Sequence, residues 1–269
     1  MEFNKTSLDT LCAALCEIMG VEPPKEAAAA NPELVAYAKE AFGGKKADRI
    51  FMYNPDAVAE WIFRKYSHLM QEVIDRTDLQ LPLRTVMPSV TPVCFSTMYT
   101  GAQPAVHGIQ KYEKPVIKID TIFDVLIRAG KKPAIIAVSQ KCSMANIFNE
   151  RNMDYFVCES YGQSWGIAAE LMARDEHDMI IVYNGNYDAK MHKFSPEGIE
   201  ALAELRTNTH TFVMLHELVK KHWKHHNTFL GYAMDHGCHE IDGGCGSHGL
   251  DMPEDLNICH RYVGIPKQV

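Results

Sequence analysis

The stretch between Gly231 and Gly249 concentrates side chains that can bind metal ions. Its sequence, GYAMDHGCHEIDGGCGSHG, holds three histidines, two cysteines, two aspartates and one glutamate among several glycines, and it begins within an apolar run. Two interpretations are open at this point. The stretch could be a loop stabilised by structural zinc, or it could contribute to a catalytic metal site at the end of a strand.

Acidic and histidine side chains also follow two other apolar runs. Asp56 comes after RIFMYN, Asp188 and His192 come after DMIIVYN, and Asp235 and His236 follow the run TFLGYAM. Ligands of open parallel sheets bind outside the carboxyl ends of the strands, so these side chains are expected to meet at one edge. A mixed set of carboxylates and imidazoles suits Zn²⁺ or Mn²⁺.

Each of these residues has a plainer interpretation when it is taken alone. Asp56 follows a proline, as an ordinary helix cap does. Asp188 and His192 are four residues apart, which on a helix makes them a surface pair. Only their joint appearance at strand ends favours a metal site.

The segment MPSVTPVCFSTMYTGAQPAVHGI (87–109) supplies a candidate nucleophile, Thr91. Thr91 precedes Pro92 at the start of a predicted short helix, VCFSTMYTG, where the helix dipole favours an alkoxide and a bound phosphate. A threonine oxygen is inert unless its pKa is lowered, and a metal ion can do that. The alternative is that Thr91 is only a helix N-cap.

Alternating apolar and amphipathic segments predict the elements that position these residues. The five predicted strands are RIFMYN (49–54), KPAIIAV (132–138), DYFVC (154–158), DMIIVYN (178–184) and TFLGYAMD (228–235). Helices are predicted from Ala57 to Tyr66 or beyond, over 120–130, over 166–175, and from Ser195 to Lys221. Apolar strands that alternate with helices indicate a mostly parallel sheet covered on both faces, a three-layer α/β/α architecture.

The N-terminal residues differ from this alternating pattern. We predict a helical N-terminal arm over 1–45, with Ser7 and Asn31 as helix caps. Residues 46–269 are then the catalytic core of a single α/β hydrolase domain.

Composition excludes several classes of protein. The chain has 269 residues and a net charge of −7, which argues against a nucleic-acid binder. No apolar run approaches the roughly 18 residues needed to span a bilayer, and the N-terminus does not resemble a secretory signal. The eight cysteines are scattered and are interpreted as reduced thiols. We therefore expect a cytoplasmic protein with no membrane or nucleic-acid polymer partner and leave its oligomeric state open.

Three motifs, together with the strand-end Asp56, carry a resemblance to a known family. Thr91, Gly101, Pro104, His107, Gly108 and Ile109 form the pattern Thr-x9-Gly-x2-Pro-x2-His-Gly-Ile. Asp188, His192 and Pro196 form Asp-x3-His-x3-Pro, and Asp235, His236 and Gly237 form Asp-His-Gly. In these motifs and their order, the sequence resembles the alkaline phosphatase superfamily, in particular its nucleotide pyrophosphatase/phosphodiesterase-like branch, from about residue 47 to 250.

The resemblance implies an alkaline phosphatase-like fold that binds two divalent metal ions, with Zn²⁺ as first choice and Mn²⁺ as second. One ion would be bound by Asp188, His192 and a later histidine. The other would be bound by Asp56, Asp235, His236 and the oxygen of Thr91. His248 is the first choice for the later histidine.

Other candidates for these roles remain open. His239 is the second choice for the later histidine, and His107 is expected to support its loop. Cys238 and Cys245 could instead form a structural zinc site with neighbouring histidines.

The implied activity is hydrolysis of a small-molecule phosphate ester, with Thr91 as nucleophile. Phosphodiesters or pyrophosphates are the first choice, and monoesters or phosphoryl transfer come second. A non-catalytic protein with structural metal is the alternative from a different class.

The sequence departs from the family pattern at several points. Asp56 is followed by Ala57 where the family has glycine, and Gln110, Lys111 and Tyr112 stand where diesterases carry an asparagine. Lys111 and Tyr112 are therefore the candidate substrate-binding residues, and a cation at Lys111 would favour the more highly charged monoester. The spacing of the motifs leaves no room for a large cap domain, and no sulfatase motif is present.

Overall fold

The computed structural model describes residues 1–139 and 141–268. The strands are β1 (Arg49–Pro55), β2 (Leu79–Arg84), β3 (Pro133–Val138), β4 (Asp154–Cys158), β5 (Met179–Asn184), β6 (Thr228–Tyr232), β7 (His239–Ile241), β8 (Cys245–Ser247) and β9 (Asn257–Ile265). The helices are α1 (Thr10–Met19), α2 (Pro32–Ala41), α3 (Glu60–Lys65), α4 (Gln71–Ile74), α5 (Thr91–Thr100), α6 (Pro104–His107), α7 (Ile122–Arg128), α8 (Ser143–Ile147), α9 (Tyr161–Arg174), α10 (Asn186–Phe194), α11 (Ile199–His222) and α12 (Pro253–Leu256). A 3-10 turn lies at Ser67–Leu69.

Seven of the described strands form one sheet in the order β2-β9-β6-β1-β5-β3-β4. β1 pairs in parallel with both β5 and β6, and β3 pairs in parallel with β4 and β5. β9 is antiparallel to β6 and to the edge strand β2. The predicted mostly parallel sheet is confirmed.

The central strands are buried on both faces, which explains their continuous apolar sequences. Every residue of β5 and β6 is buried, and so is every residue of β1 after Arg49. Most of the described helices fall into two groups linked by contacts: α1, α2, α5, α6, α7 and α8 form one, and α4, α9, α10 and α11 form the other, whereas α3 and α12 contact β9. The predicted three-layer α/β/α architecture is confirmed.

The five predicted strands are all present, but sequence analysis missed four others. β2 contains Pro82, and proline in a strand is compatible with an edge position such as the one β2 occupies. β9 contains the buried polar residues His260 and Arg261, which weaken an apolar strand pattern. β7 and β8 form a separate two-stranded hairpin of three residues each.

Three predicted helix starts are wrong. The helix predicted over 166–175 begins earlier, at Tyr161. The helix predicted from Ser195 begins at Ile199, because Ser195 has a φ of 66° and ends the preceding helix α10. The helix predicted from Ala57 begins at Glu60, since Ala57 has a φ of 61°. The backbone N–H of Ala57 donates instead to the Asp235 carboxylate, 3.2 Å away.

The predicted N-terminal arm is helical, but it packs into the main body of the protein. Asn31 caps α2 as predicted, accepting from the Leu34 amide at 3.0 Å. Ser7 is not a cap: it forms a β-bridge with Arg84, and α1 begins at Thr10. Apolar side chains from this region belong to the same hydrophobic core as the sheet.

Gln140 and Val269, both within the predicted core 46–269, lie outside the described residues. None of the helices in the described part of the chain combines the length and apolarity needed to cross a bilayer.

Candidate metal centre

Three adjacent strands bring the predicted ligands together at one edge of the sheet. β5, β1 and β6 are neighbours, and all three run in the same direction. Asp56 follows β1, Asp188 lies on α10 just after β5, and Asp235 lies shortly after β6. The carboxyl ends of these strands therefore converge.

The convergent side chains form two clusters. The first cluster is Asp188, His192 and His248, and the second cluster is Asp56, Asp235 and His236; within each, one potential ligand atom per residue lies within 4.8 Å of the others. The imidazole rings of His236 and His248 join the clusters, with centroids 4.1 Å apart.

Each imidazole presents its Nε2 atom to its cluster. Backbone carbonyl oxygens lie 2.9–3.0 Å from the Nδ1 atoms of His236 and His192 and 2.8 Å from that of His248. A carbonyl oxygen only accepts, so each Nδ1 carries the hydrogen and each Nε2 keeps a free electron pair. Hydrogen bonds of this kind orient histidine ligands in metal sites.

Two carboxylate oxygens in the clusters are buried without a hydrogen-bond donor. They are Oδ1 of Asp188 and Oδ2 of Asp235. An unpaired buried carboxylate oxygen is costly unless it is protonated or bound to a cation. The donor set and these unpaired oxygens fit divalent metal ions.

Burial and mutual repulsion shift the pKa values of the carboxyl groups. Burial, reinforced by the charge of Asp188, raises the pKa of Asp56 to about 7. Burial and the charge of Asp56 raise the pKa of Asp235 well above its usual range. Burial alone would raise the pKa of Asp188, but the imidazoles of His192 and His248, whose Nε2 atoms lie 3.2 and 3.4 Å from its Oδ1, lower it below its usual range.

The same surroundings shift the pKa values of the three histidines. The adjacent carboxylate of Asp188 raises the pKa of His192. Burial would lower the pKa of His248, but the same carboxylate raises it overall. Burial and the nearby His248 lower the pKa of His236 well below its usual range.

Thr91 is the first residue of α5 and lies against the second cluster. Its Oγ1 is 3.3 Å from Oδ2 of Asp56 and 3.4 Å from Nε2 of His236. The N-cap of α5 is Val90, so the alternative interpretation of Thr91 as an N-cap is wrong. The hydroxyl is directed at the cluster instead.

Tyr183 is a site residue that sequence analysis missed. Its hydroxyl donates to Oδ2 of Asp56 at 2.5 Å. Tyr183 lies inside the apolar strand DMIIVYN, where it is indistinguishable from a core residue. Its place one residue before the strand end is the only signal in the sequence.

The β7–β8 hairpin carries the chain from the second cluster back to the first. Gly246 on β8 accepts the Nδ1–H of His192, and His248 follows the end of β8. A Cβ atom at Gly246 would lie 2.8 Å from the backbone oxygen of Met191, so the close approach requires glycine.

Two other histidines lie outside both clusters: His239, the second choice for the later ligand, and His107, which is expected to support its loop. His239 donates from Nδ1 to Asp255 at 2.7 Å, and His107 contacts Thr97 at 3.0 Å. Among the described residues, neither Cys238 nor Cys245 belongs to a group that could bind a metal. The geometry therefore brings His248, rather than His239, to Asp188 and His192.

Lys111 and Tyr112 are not part of either cluster. The Lys111 side chain is 76% exposed and pairs with Glu113 at 3.3 Å. Tyr112 is exposed and lies below the ammonium group of Lys114, which is 5.1 Å from the ring centroid. Their role in substrate binding stays a prediction.

Solved structures of other proteins share this fold. Murine ectonucleotide pyrophosphatase/phosphodiesterase 5 matches with a TM-score of 0.59 and 16% identity, over 72% of this chain and 58% of the other. An inactive threonine-to-alanine variant of that protein, in complex with AMP, matches with a TM-score of 0.58 and 15% identity, over 73% and 59%. Phosphonoacetate hydrolase from Sinorhizobium meliloti 1021, in complex with phosphonoacetate, matches with a TM-score of 0.54 and 18% identity, over 75% and 61%.

These matches confirm the predicted fold, which the chain shares with a nucleotide pyrophosphatase/phosphodiesterase and with a phosphonoacetate hydrolase. The chain spans about three fifths of the length of these solved structures. No protein-family model and no curated protein matches the chain.

Proposed function

We propose that this protein is a two-metal hydrolase of phosphate esters with Thr91 as its nucleophile. The observation that carries the proposal is the position of the Thr91 hydroxyl, 3.3 Å from Asp56 in one of two adjoining carboxylate–histidine clusters. A structurally similar pyrophosphatase/phosphodiesterase is described as inactive when a threonine is replaced by alanine, which supports a nucleophilic threonine.

The two clusters are the proposed binding sites of two divalent ions, Zn²⁺ first and Mn²⁺ second. Asp188, His192 and His248 would hold one ion. Asp56, Asp235 and His236 would hold the other, together with the Thr91 oxygen. When bound, such ions lower the pKa of a hydroxyl and stabilise negative charge on phosphoryl and leaving oxygens.

The reaction that we propose has two displacement steps. In the first, Oγ1 of Thr91 forms a bond to phosphorus as the bond to the leaving oxygen breaks. The hydroxyl proton is lost to solvent and the leaving group takes up a proton. In the second, water attacks the phospho-threonine, releases the phosphoryl product and restores Thr91.

Other parts of the chain prepare Thr91 for this reaction. The amino end of α5 places the positive end of the helix dipole near the bound phosphoryl group. Tyr183 holds Asp56 by a hydrogen bond, and the second cluster and Thr91 are buried.

Phosphodiesters or pyrophosphates are our first choice of substrate, and phosphomonoesters are the second. The AMP complex of one similar structure supports a nucleotide-like ester, whereas the phosphonoacetate complex of another makes a phosphonate a further candidate. A panel of aryl phosphate monoesters and diesters plus phosphonoacetate, assayed with Zn²⁺ and with Mn²⁺, would identify the class. A protein that binds two ions but turns over none of these compounds would favour the non-catalytic alternative.

Replacing the nucleophile tests the mechanism. We expect Thr91→Ala to lower kcat by several orders of magnitude, because loss of a covalent nucleophile commonly costs about 10⁴-fold or more. Metal content should stay near two ions per chain, since six other proposed ligands remain. Turnover of the best substrate and elemental analysis measure the two quantities.

A matched control is Thr97→Ala, which alters a buried threonine of the same helix that contacts His107 rather than the clusters. This variant should keep most of its turnover. Near-normal turnover by Thr91→Ala would contradict the proposed nucleophile and leave direct attack by water.

A further inference from the structure

A single loop, residues 237–250, separates the ligands of the second cluster from the last ligand of the first. It leaves the sheet after Asp235 and His236, forms the β7–β8 hairpin and returns to His248. Fixing both ends of this loop would define where His248 lies relative to Asp188 and His192. Hydrogen bonds to one buried side chain hold both ends.

The buried carboxylate of Asp255 joins the two ends of the loop. Its Oδ1 accepts from Nδ1 of His239 at 2.7 Å, and its Oδ2 accepts from the Leu250 amide at 2.8 Å. Its backbone oxygen also accepts from the Gly237 amide at 2.8 Å. Asp255 is fully buried, so these bonds are shielded from water.

Further contacts hold the end of the loop that follows His236. The Cys238 amide donates to the backbone oxygen of Glu254 at 3.1 Å, and the indole N–H of Trp61 donates to the Cys238 oxygen at 2.7 Å. A Cβ atom at Gly237 would lie 2.1 Å from the Glu254 oxygen, so this approach requires glycine.

We propose that the His239–Asp255 pair is a positioning clamp that closes the loop so that His248 completes the first cluster. The proposal rests on the proposed metal centre, because it assigns the clamp an effect on metal binding. His239 is thereby a positioning residue and not a ligand.

The effect of the clamp is selective for the first cluster. His248 lies two residues before Leu250, and its Nδ1 also hydrogen-bonds to the Ser89 oxygen. The ligands of the second cluster instead follow paired central strands, β1 and β6. Releasing the clamp thus frees His248 while Asp56 and Asp235 stay anchored.

The experiment measures binding of Co²⁺ to the metal-depleted full chain, by titration against a competing chelator. His239→Leu removes the donor, whereas His239→Asn keeps an N–H near the Nδ1 position. His248→Ala identifies which of the two dissociation constants belongs to the first cluster. Visible absorption of bound Co²⁺ reports the coordination at each site.

We expect His239→Leu to weaken binding at the first cluster by about 10–100-fold, the usual effect of losing a partner that orients a ligand. Binding at the second cluster should not change. His239→Asn should restore the wild-type affinity and the wild-type Co²⁺ spectrum. A change of fold stability alone would not produce this site-selective loss and rescue.

Asp251→Asn is the matched control, because Asp251 is an exposed carboxylate of the same region, 3.6 Å from Arg84. It should bind both ions as the wild type does. Equal affinities in His239→Leu and wild type, or equal weakening of both ions, would overturn the clamp. Absence of Co²⁺ binding by the wild type would instead contradict the proposed function itself.

Discussion

Asp56 and Asp188 lie at the same sheet edge, yet their pKa values are shifted in opposite directions. Burial dominates at Asp56, whose pKa is raised to about 7. Two imidazole partners outweigh burial at Asp188, whose pKa is lowered. The second cluster thus carries buried carboxylates without a matching cation of their own, and it depends more strongly on a proton or a metal ion for charge balance.

Tyr183 is the side chain best placed to modify the second cluster without removing a ligand. Its hydrogen bond lowers the pKa that Asp56 would otherwise have, so it favours the ionised, metal-binding form. We expect Tyr183→Phe to weaken metal binding at the second cluster by about 10–100-fold near neutral pH. Chelator competition on the metal-depleted protein measures this change.

Tyr37→Phe is the control for that substitution. It also removes a phenol that donates to a carboxylate, Asp78, but on the surface at α2. Both ions should then bind with wild-type affinity. If Tyr183→Phe behaved in the same way, the hydrogen bond to Asp56 would have no role in metal binding.

For the individual residues of the site, the sequence predicted which side chains converge but not how each side chain is oriented. The six cluster residues and Thr91 follow strand ends or recognisable motifs, and the structure brings them together. The choice between His248 and His239 depended on loop geometry, which no local pattern encodes. Tyr183 was missed because its apolar surroundings are typical of a core residue.

The β7–β8 hairpin has a strict steric requirement at Gly246. A Cβ at Gly246 would lie 2.3 Å from Sδ of Met191 and 2.8 Å from Cδ of Pro196, as well as close to backbone. We expect Gly246→Ala to displace β8 from α10 and break the bond to His192. The free energy of unfolding should fall by about 1–3 kcal/mol, as in other overpacked sites. Denaturant unfolding measures the loss, and titration should show weaker binding at the first cluster.

Gly166→Ala provides the matched control, because a Cβ at Gly166 on α9 has no heavy atom within 4 Å. This exposed helical position should gain up to about 1 kcal/mol of stability from the better helix former. Gly246→Ala with wild-type stability and metal binding would show that the hairpin can move without affecting the site.

Two features that sequence analysis missed, strand β9 and the break between α10 and α11, depend on details that a pattern of apolar residues does not show. The side chains of His260 and Arg261 on β9 are buried only because they have specific distant partners, the Met234 oxygen and Thr77. A periodic pattern of apolar residues cannot reveal such pairs. The break between α10 and α11 depends likewise on one backbone angle, at Ser195, in a sequence with helical character on both sides.

For the whole molecule, the shifted pKa values predict how stability depends on pH. The folded state raises the pKa values of Asp56, Asp235, His192 and His248, so it binds protons more tightly than the unfolded chain. Their contribution to stability is present at low pH and is lost as the pH rises through the folded-state values.

The pKa shift of His236 has the opposite effect on stability. Its lowered pKa costs stability only below its ordinary value of 6.5, where the unfolded chain gains a proton that the folded state rejects. Above about pH 7, the groups with raised pKa values therefore determine whether stability rises or falls with pH. We expect the metal-depleted protein to become less stable from about pH 7 to about pH 8.5.

Bound metal should reverse this trend, because metal ions replace the same protons and bind more tightly as the pH rises. Thermal unfolding with Zn²⁺ and with a chelator, at several pH values, measures both curves. A difference of 1 kcal/mol corresponds to about 2–4 °C in Tm for a chain of this size. Parallel curves with and without Zn²⁺ would contradict the assignment of these groups to the metal centre.

The convergence of distant segments at one sheet edge has a consequence for folding kinetics. The Ala57 amide and the Asp235 carboxylate that it contacts are 178 residues apart in sequence, and Thr91 and His236 are 145 apart. Contacts between such distant residues form late, after the loops between them have closed. Ions held by these clusters would stabilise the native state but not the transition state. We therefore expect them to slow unfolding while leaving the rate of refolding nearly unchanged.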